Sequence, residues 1–130
     1  MLLLIIYASF LSLLIICLLG CSDKNCDVDT LFKQRFDNCI SLIKKSEDEE
    51  WVNAGEIRNA FIFLTVISGH RTKVNDPENP SYENKTDFKQ DLLLWNQWYE
   101  SNKCSITLKK ADSLFIAYKK RDYKIKNFNW

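Results

Sequence analysis

Residues 53–69, NAGEIRNAFIFLTVISG, decide the fold class. Their apolar side chains recur at steps of three and four, which is the spacing of one helix face; they are Ile57, Ala60, Phe61, Leu64 and Ile67. Asn53 and Glu56 can form a capping box at the start, and Gly69 can supply the left-handed residue that ends a helix. The β-branched and aromatic content would also suit a strand. The length and the two caps favour a helix, and its nearly continuous apolar surface predicts that it is the most buried one.

Two other segments have helical spacing and predict amphipathic helices. The first covers about residues 29–46, where Asp27 or Asp29 can act as the cap. Its apolar positions are Val28, Leu31, Phe32, Phe36, Cys39, Ile40 and Ile43. The second begins with Thr86 or Asp87 as its cap and runs through TDFKQDLLLWNQWYESNK. Its apolar face consists of Phe88, Leu92, Trp95 and Tyr99, flanked by Asp91, Leu94 and Trp98.

The C-terminal segment predicts a short fourth helix that is capped near Thr107. Its apolar positions are Ala111, Leu114, Phe115 and Tyr118. After it, YKIKNFNW at 123–130 alternates apolar and polar residues, which predicts an edge strand or a docked tail. Taken together, the segments predict an all-α domain, a small bundle of three to four helices, over residues 28–130.

The connections differ in length and composition. The acidic run EDEE at 47–50 predicts a solvated connection. Residues 70–85 hold both prolines and show no periodicity, so they predict a long loop that is either a mobile insertion or a recognition element. If the loop recognises a partner, four of its side chains can provide contacts: His70, Arg71, Lys73 and Tyr82. Trp95 and Trp98 form a broad aromatic surface that is either core packing or a binding platform.

The N-terminal segment, residues 1–20, contains no charged side chain. Its length would allow a helix to span a bilayer, and it would equally suit the apolar part of an export signal. Its last residues and the next one, Leu18-Leu19-Gly20-Cys21, resemble the lipobox of bacterial lipoprotein signal peptides. The resemblance implies a diacylglyceryl group on the Cys21 thiol, cleavage before Cys21, and a third acyl chain, such as palmitate, on the new amino terminus. An uncleaved membrane anchor is the alternative.

Under the lipoprotein interpretation the chain divides into a signal peptide (1–20), a lipidated tether (21–27) and the helical domain. Two or three acyl chains hold a protein firmly to a membrane. The expected location is therefore the cell envelope, with the lipid in the outer membrane and the domain on its periplasmic or surface face. The membrane is the first expected partner, through Cys21.

Residues 54–103 also resemble the last unit of certain bacterial HEAT-like helical-repeat proteins. In such a unit, an apolar helix that ends in a Leu-Thr-x-x-x-Gly turn precedes a helix with Trp-x-x-Trp-Tyr, and Leu64 to Gly69 and Trp95 to Tyr99 match those two motifs. The resemblance implies an antiparallel or right-angled helix pair that binds protein, without catalytic residues. The chain has room for one or two units, so a compact bundle is the expected architecture.

The cysteines allow one disulfide in the exported domain. With Cys21 acylated and Cys17 removed, Cys26, Cys39 and Cys104 remain. We predict a Cys39–Cys104 bond because both residues lie in segments predicted to be folded, while Cys26 lies in the tether; all three thiols remaining reduced is the alternative. The spacings match no zinc pattern, and His70 is the only histidine, so no metal site is predicted.

Charge and motif content narrow the function. Residues 103–130 carry eight basic and two acidic side chains, a net of +6, and residues 21–102 a net of −5. Export argues against nucleic acid as the partner of the basic terminus, and the alternatives are anionic lipid headgroups, the acidic face of the same molecule, or solvent alone. No phosphate loop or nucleophile–base pattern is present, so neither catalysis nor a cofactor is predicted, although His70 could act as a base. Two hypotheses remain: a protein-binding or scaffolding lipoprotein of the envelope, and an immunity or inhibitor lipoprotein that neutralises a toxin or enzyme there.

Overall fold

A computed structural model describes residues 26–74 and 80–128, with side chains up to Arg121. This part of the chain contains four helices and no strand; they are α1 (Thr30–Glu47), α2 (Ala54–Ser68), α3 (Lys85–Asn102) and α4 (Leu108–Phe128). The prediction of a small all-α bundle is confirmed. None of the described helices combines the length and the apolar character needed to cross a membrane. The predicted signal peptide and residues 21–25 of the predicted tether lie outside the described residues.

Helix α2 lies at the centre of the bundle and packs against each of the other three helices. Its buried side chains are Ile57, Ala60, Phe61, Phe63, Leu64 and Ile67. This matches the face predicted from the sequence and adds Phe63, as expected for a helix that is apolar nearly all round.

Helices α1 and α4 both run antiparallel to α2. Near the start of α1, the guanidinium of Arg35 lies 5.3 Å from the centre of the Phe63 ring, toward the end of α2. Along α4, the ring of Phe115 lies 5.9 Å from that of Phe63, and Lys119 donates to Asn59, nearer the start of α2, at 3.0 Å. Helices α1, α2 and α4 therefore pack side by side, with their apolar faces turned toward one another.

Helix α3 joins the bundle through aromatic stacking on α1. The Tyr99 ring lies 4.7 Å from that of Phe36 and 6.2 Å from that of Phe32, nearly parallel to both. Trp98 meets Phe32 edge-on at 6.3 Å. Offset-stacked and edge-to-face pairs of this kind each contribute about 0.5–1.5 kcal/mol beyond the area they bury.

The two predicted cap residues of α2, Asn53 and Gly69, are confirmed, whereas the described hydrogen bonds do not include the reciprocal bond from Asn53 N–H to the Glu56 side chain. The side chain of Asn53 accepts hydrogen bonds from the backbone N–H groups of Gly55 at 2.8 Å and Glu56 at 3.3 Å. Gly69 adopts φ 68°, the left-handed conformation that residues with a side chain rarely adopt, and its N–H donates to Thr65 O at 2.9 Å.

The start of α3 differs from the prediction. The cap is Asn84, not Thr86 or Asp87, and the helix begins at Lys85. Asn84 accepts from the Asp87 N–H at 2.9 Å and donates from its Nδ2 to the Asp87 carboxylate at 2.9 Å. In this reciprocal pair Asp87 is the third residue of the helix. Which residue becomes the cap depends on the path of the preceding loop, which the local sequence does not determine.

The prediction of an edge strand or docked tail after α4 is wrong as far as Phe128, because the helix continues to that residue. A strand needs a neighbouring strand to satisfy its backbone groups, whereas a helix satisfies them within itself. The described part of the chain has no strand to pair with, so the local alternation at 123–128 does not determine the conformation.

The predicted Cys39–Cys104 disulfide is also wrong. Cys104 is bonded to Cys26, with 5.4 Å between their Cα atoms, and Cys39 is a buried free thiol. Cys39 lies in the middle of α1 on the face that packs on α2, whereas Cys104 lies in the turn after α3, beside the residues that precede α1. Cys26 is therefore part of the folded domain.

One carboxylate joins two helices beside this disulfide. Asp29 accepts from the backbone N–H of Phe32 through Oδ1 at 2.9 Å, which caps α1, and from Leu108 N–H through Oδ2 at 2.9 Å, at the start of α4. These hydrogen bonds hold the pKa of Asp29 below its ordinary value. We call this region, formed by Cys26, Asp29, Cys104 and Leu108, the staple end of the bundle.

The disulfide generates a test by peptide mapping. Alkylation of the denatured, unreduced protein should modify Cys39 and leave Cys26 and Cys104 joined in one cross-linked peptide pair. In the native protein Cys39 should react slowly, because burial raises the pKa of its thiol to about 11. A cross-linked peptide containing Cys39 would contradict this pairing.

The double variant Cys26→Ser/Cys104→Ser should lower the free energy of unfolding by about 2–4 kcal/mol, because the disulfide closes a long loop and so restricts the unfolded chain. Urea unfolding measures this loss. Cys39→Ser leaves the disulfide intact and removes the free thiol, so it is the control for oxidation of that thiol. Its unfolding free energy without reductant should not change over time.

Candidate functional site

The polar centre of the domain is the carboxylate of Asp91, on α3. Its relative exposure is 0%, and among the described residues it is the one charged side chain in the core. An ionised carboxylate loses its hydration when it is buried, so it requires several hydrogen-bond donors in compensation. The surrounding residues supply four.

All four donors come from the segment between α2 and α3. The His70 ring Nε2 lies 2.7 Å from Asp91 Oδ1. Asp91 Oδ2 accepts from Thr72 Oγ1 at 2.7 Å, from the Lys73 backbone N–H at 3.0 Å and from the Tyr82 hydroxyl at 2.9 Å. We call Asp91 and these four residues the Asp91 cluster. It fixes both flanks of the segment that was predicted to be a loop.

Local turns deliver the first flank to the carboxylate. After Gly69 ends α2, the Ser68 hydroxyl accepts from the His70 N–H at 3.1 Å, which reverses the chain. Two residues further on, the Thr72 hydroxyl accepts from Val74 N–H at 3.3 Å while it donates to Asp91. These short-range bonds leave the donors of residues 70–73 facing α3.

The second flank places Tyr82 between aromatic rings. Its ring lies 5.7 Å from that of Phe61 on α2 and 5.5 Å from that of Phe88 on α3. Burial raises the pKa of the Tyr82 phenol well above its ordinary value, and the bond to Asp91 raises it further, so the hydroxyl stays protonated and acts as a donor.

The electrostatics favour an ionised Asp91. Burial by itself raises the pKa of this carboxyl, but the hydrogen bonds from His70, Lys73, Thr72 and Tyr82 favour the charged form, and their combined effect holds the pKa below its ordinary value. The carboxylate therefore carries its charge in the folded protein. Its charge strengthens each of the four bonds.

The pair His70 and Asp91 has the geometry in which a carboxylate orients an imidazole. Such a pair can serve as a general base when a substrate or nucleophile lies at the other ring nitrogen. Here the ring is 23% exposed and packs edge-on against Trp95 at 6.1 Å. No side-chain nucleophile contacts it among the described residues, and the remaining acceptor positions of Asp91 are filled by loop donors. The arrangement is that of a structural junction.

The residues predicted to contact a partner have separate environments. His70 and Tyr82 are bonded to Asp91, whereas Arg71 and Lys73 have exposed side chains. Lys73 Nζ lies 3.2 Å from an Asp87 carboxylate oxygen. Trp95 has 0% exposure and belongs to the core, with its indole N–H unpartnered in the described structure. Trp98, which meets Phe32 of α1 edge-on, is half-buried.

Sequence reasoning missed the central residue of the site. Asp91 follows Phe88 by three residues and precedes Trp95 by four, so it occupies a core position of α3. A charged residue at such a position is a signal for a buried hydrogen-bonded network. The prediction placed it at the flank of the apolar face. Trp51, in the connection between α1 and α2 and 90% exposed, was also missed.

Two of the cavities at the surface of the described residues lie beside α2. One, of about 440 Å³, lies between α1 and α2, with Arg35, Lys45, Glu56 and Asn59 in its walls. The other, of about 380 Å³, lies between α2, α4 and the loop flanks, with Ile62, Val74 and Tyr118 in its walls. Within residues 26–74 and 80–121, no three His, Cys, Asp or Glu side chains converge as a metal site would require.

Comparison with known proteins gave no match to a family model, to a curated protein or to a solved structure.

Replacement of Asp91 tests the cluster directly. Asp91→Asn should lower the free energy of unfolding by about 3 kcal/mol, because it removes a buried charge that accepts four hydrogen bonds. It should also increase proteolysis between residues 70 and 82. Asp87→Asn, on the same helix, removes a partly exposed ion pair and should cost about 1 kcal/mol or less. Equal losses in the two variants would contradict a central role for Asp91.

The lowered pKa of Asp91 predicts the direction of a pH effect. Above the unfolded-state pKa, about 3.9, this carboxylate stabilises the fold fully. As the pH falls below that value, the unfolded state binds a proton first, so the stabilisation decreases and is lost once the pH passes below the folded-state pKa. The difference in unfolding free energy between the unaltered protein and Asp91→Asn should therefore shrink between pH 5 and pH 2. Parallel curves in urea titrations would contradict the assignment.

Proposed function

We propose that this protein is a lipid-anchored bacterial envelope lipoprotein whose helical domain binds a protein partner. The observation that carries the proposal is the proximity, along the chain, of the predicted lipidation site Cys21 to Cys26, which forms a disulfide with Cys104. Disulfides of this kind persist in oxidising compartments outside the cytoplasm, and that is where a lipobox would deliver the chain. Two independent features thus support export.

The end of the bundle opposite the staple end offers a surface for the partner. Trp51 is 90% exposed there, next to the acidic connection at 47–50. Tryptophan is among the residues that contribute most to binding at protein interfaces. A large apolar side chain held in water gains more from binding than one already buried.

One member of the Asp91 cluster, Tyr82, lies near this end of the bundle, opposite the staple end. The Tyr82 backbone lies near the carboxylate of Glu47, at the end of α1, so this loop flank and the acidic connection are neighbours. Arg71 and Lys73 are exposed on the other flank, which begins at the end of α2. Because the cluster holds the Tyr82 flank in place, binding at the surface beside Glu47 loses little conformational entropy. A rigid, chemically mixed surface suits recognition of a folded protein.

The proposal is tested by capture of the tagged protein from a detergent extract of its own cells, followed by mass spectrometry. The expected chain begins at Cys21 and carries added acyl mass, and one partner copurifies in a defined ratio. Cys21→Ser should abolish the acyl mass and keep the partner. An intact Met1 would contradict the anchor, and no enriched protein would contradict the binding role. A toxin or an enzyme as the partner would identify an inhibitor.

The binding surface has its own test. Trp51→Ala should weaken the affinity for the captured partner by about thirtyfold, the loss typical of an interface hot spot. Leu93→Ala is the matched control, since Leu93 is a half-exposed apolar side chain on the outside of α3. Titration calorimetry with the purified pair measures both. Equal affinities for the two variants would place the interface elsewhere.

A further inference from the structure

Helix α4 has a second face that none of the interactions described so far uses. Its core face packs on α2 through Ala111 and Phe115. At 100° per residue, the opposite face has cations at both ends and an apolar centre. It comprises Lys109, Lys110, Ser113, Ile116, Ala117, Lys120 and Arg121, all of them exposed. We call this set the outer face of α4.

The charges of the outer face are uncompensated. None of its four cations forms an ion pair with another described residue. Between Leu108 and Arg121 the one acidic residue is Asp112, which is partly buried and forms no ion pair with these cations. Ile116, between the two pairs of cations, is 51% exposed. Cations that flank an exposed apolar side chain along a helix are typical of segments that lie on anionic membranes.

The tether limits how far this helix can be from the membrane; this step rests on the proposed anchor at Cys21. Five residue steps separate Cys21 from Cys26, so their Cα atoms are at most about 18 Å apart. Cys26 is bonded to Cys104, four residues before α4 begins, and Asp29 accepts from the N–H of Leu108. The first turn of α4 is therefore held beside the point where the chain leaves the domain.

We propose that the outer face of α4 lies along the anionic surface of the membrane to which Cys21 is anchored. Lys109 and Lys110 contact phospholipid phosphates beside the anchor. Lys120 and Arg121, about 16 Å further along the helix, contact them as well only when α4 lies parallel to the surface. Ile116 then enters the interface between headgroups and acyl chains. Because two cations lie at each end of the face, all four contact phosphates when α4 lies flat, whereas only two do so when it stands upright.

The experiment uses the acylated protein reconstituted into vesicles of pure phosphatidylcholine and of phosphatidylcholine with phosphatidylglycerol at about 7:3. A membrane-impermeant amine reagent labels the lysines, and mass spectrometry gives the rate at each one. A surface potential of about −30 to −50 mV lowers the deprotonated fraction of a nearby amine by about three- to sevenfold. Lys109, Lys110 and Lys120 should react that much more slowly on the anionic vesicles. Lys85 and Lys89, at the start of α3 and so toward the end of the bundle where α1 ends, should react equally on both.

A matched pair of variants separates the outer face from total charge. Lys109→Glu/Lys110→Glu and Lys85→Glu/Lys89→Glu change the net charge equally, and both place the new carboxylates near a helix N-terminus, where negative charge is tolerated. The first variant should lose the protection of Lys120, and the second should keep it. Salt at 1 M, where the Debye length is about 3 Å, should abolish the protection in the unaltered protein.

Each outcome decides the proposal. Equal labelling on the two vesicle types, with the acyl group present on Cys21, would overturn the membrane contact and leave the anchor standing. Protection of the outer face only after an acidic partner protein is added would also overturn it. The same spectra report the acyl mass, so a chain without it would overturn the proposed anchor, and with it this inference.

Discussion

The position of α3 depends on one buried carboxylate. Asp91 has no contact with solvent, and the segment that follows α2 satisfies it with four donors. The charge would be unstable in the core without those bonds, and without the charge the segment would lose the hydrogen bonds that hold both of its flanks to α3. Sixteen residues that carry no periodicity thereby gain two fixed flanks, and α3 is joined to α2 by polar bonds as well as by packing.

At the staple end, too, one carboxylate accepts hydrogen bonds from more than one segment of the chain. Asp29 satisfies donors at the start of α1 and at the start of α4, and the Cys26–Cys104 disulfide joins the two chain segments that precede those helices. A cap usually belongs to one helix. Because Asp29 caps α1 and also bonds to the start of α4, its two hydrogen bonds fix the position of α4 relative to α1. The disulfide keeps the segments that precede these helices together in the unfolded chain as well. Contacts at both ends therefore supplement the apolar packing of α2.

These two constraints shape the surfaces that are open to partners. The Asp91 cluster fixes the Tyr82 flank near the acidic connection, next to Trp51, and the staple fixes the beginning of α4 close to the predicted anchor. One surface is mixed and rigid, which suits a folded protein. The other is cationic with an apolar centre, which suits a lipid surface. A single domain can engage both at once because they lie on different parts of the bundle.

The sequence by itself determined that the domain is helical, where α2 begins and ends, and which of its faces is buried. Those features depend on spacing of three and four residues and on caps a few residues away, so local patterns are sufficient. It indicated the aromatic face of α3 as well, yet placed Asp91 at its edge. It could not determine the cap of α3, the continuation of α4 through an alternating segment, or the partner of Cys104. Each of these depends on which groups the folded chain brings within bonding distance, across 78 residues in the case of Cys26 and Cys104. Only the tertiary structure could show that Asp91, on the apolar face of α3, accepts the hydrogen bonds that hold the loop. Its four donors become its neighbours only when α2 and α3 pack together.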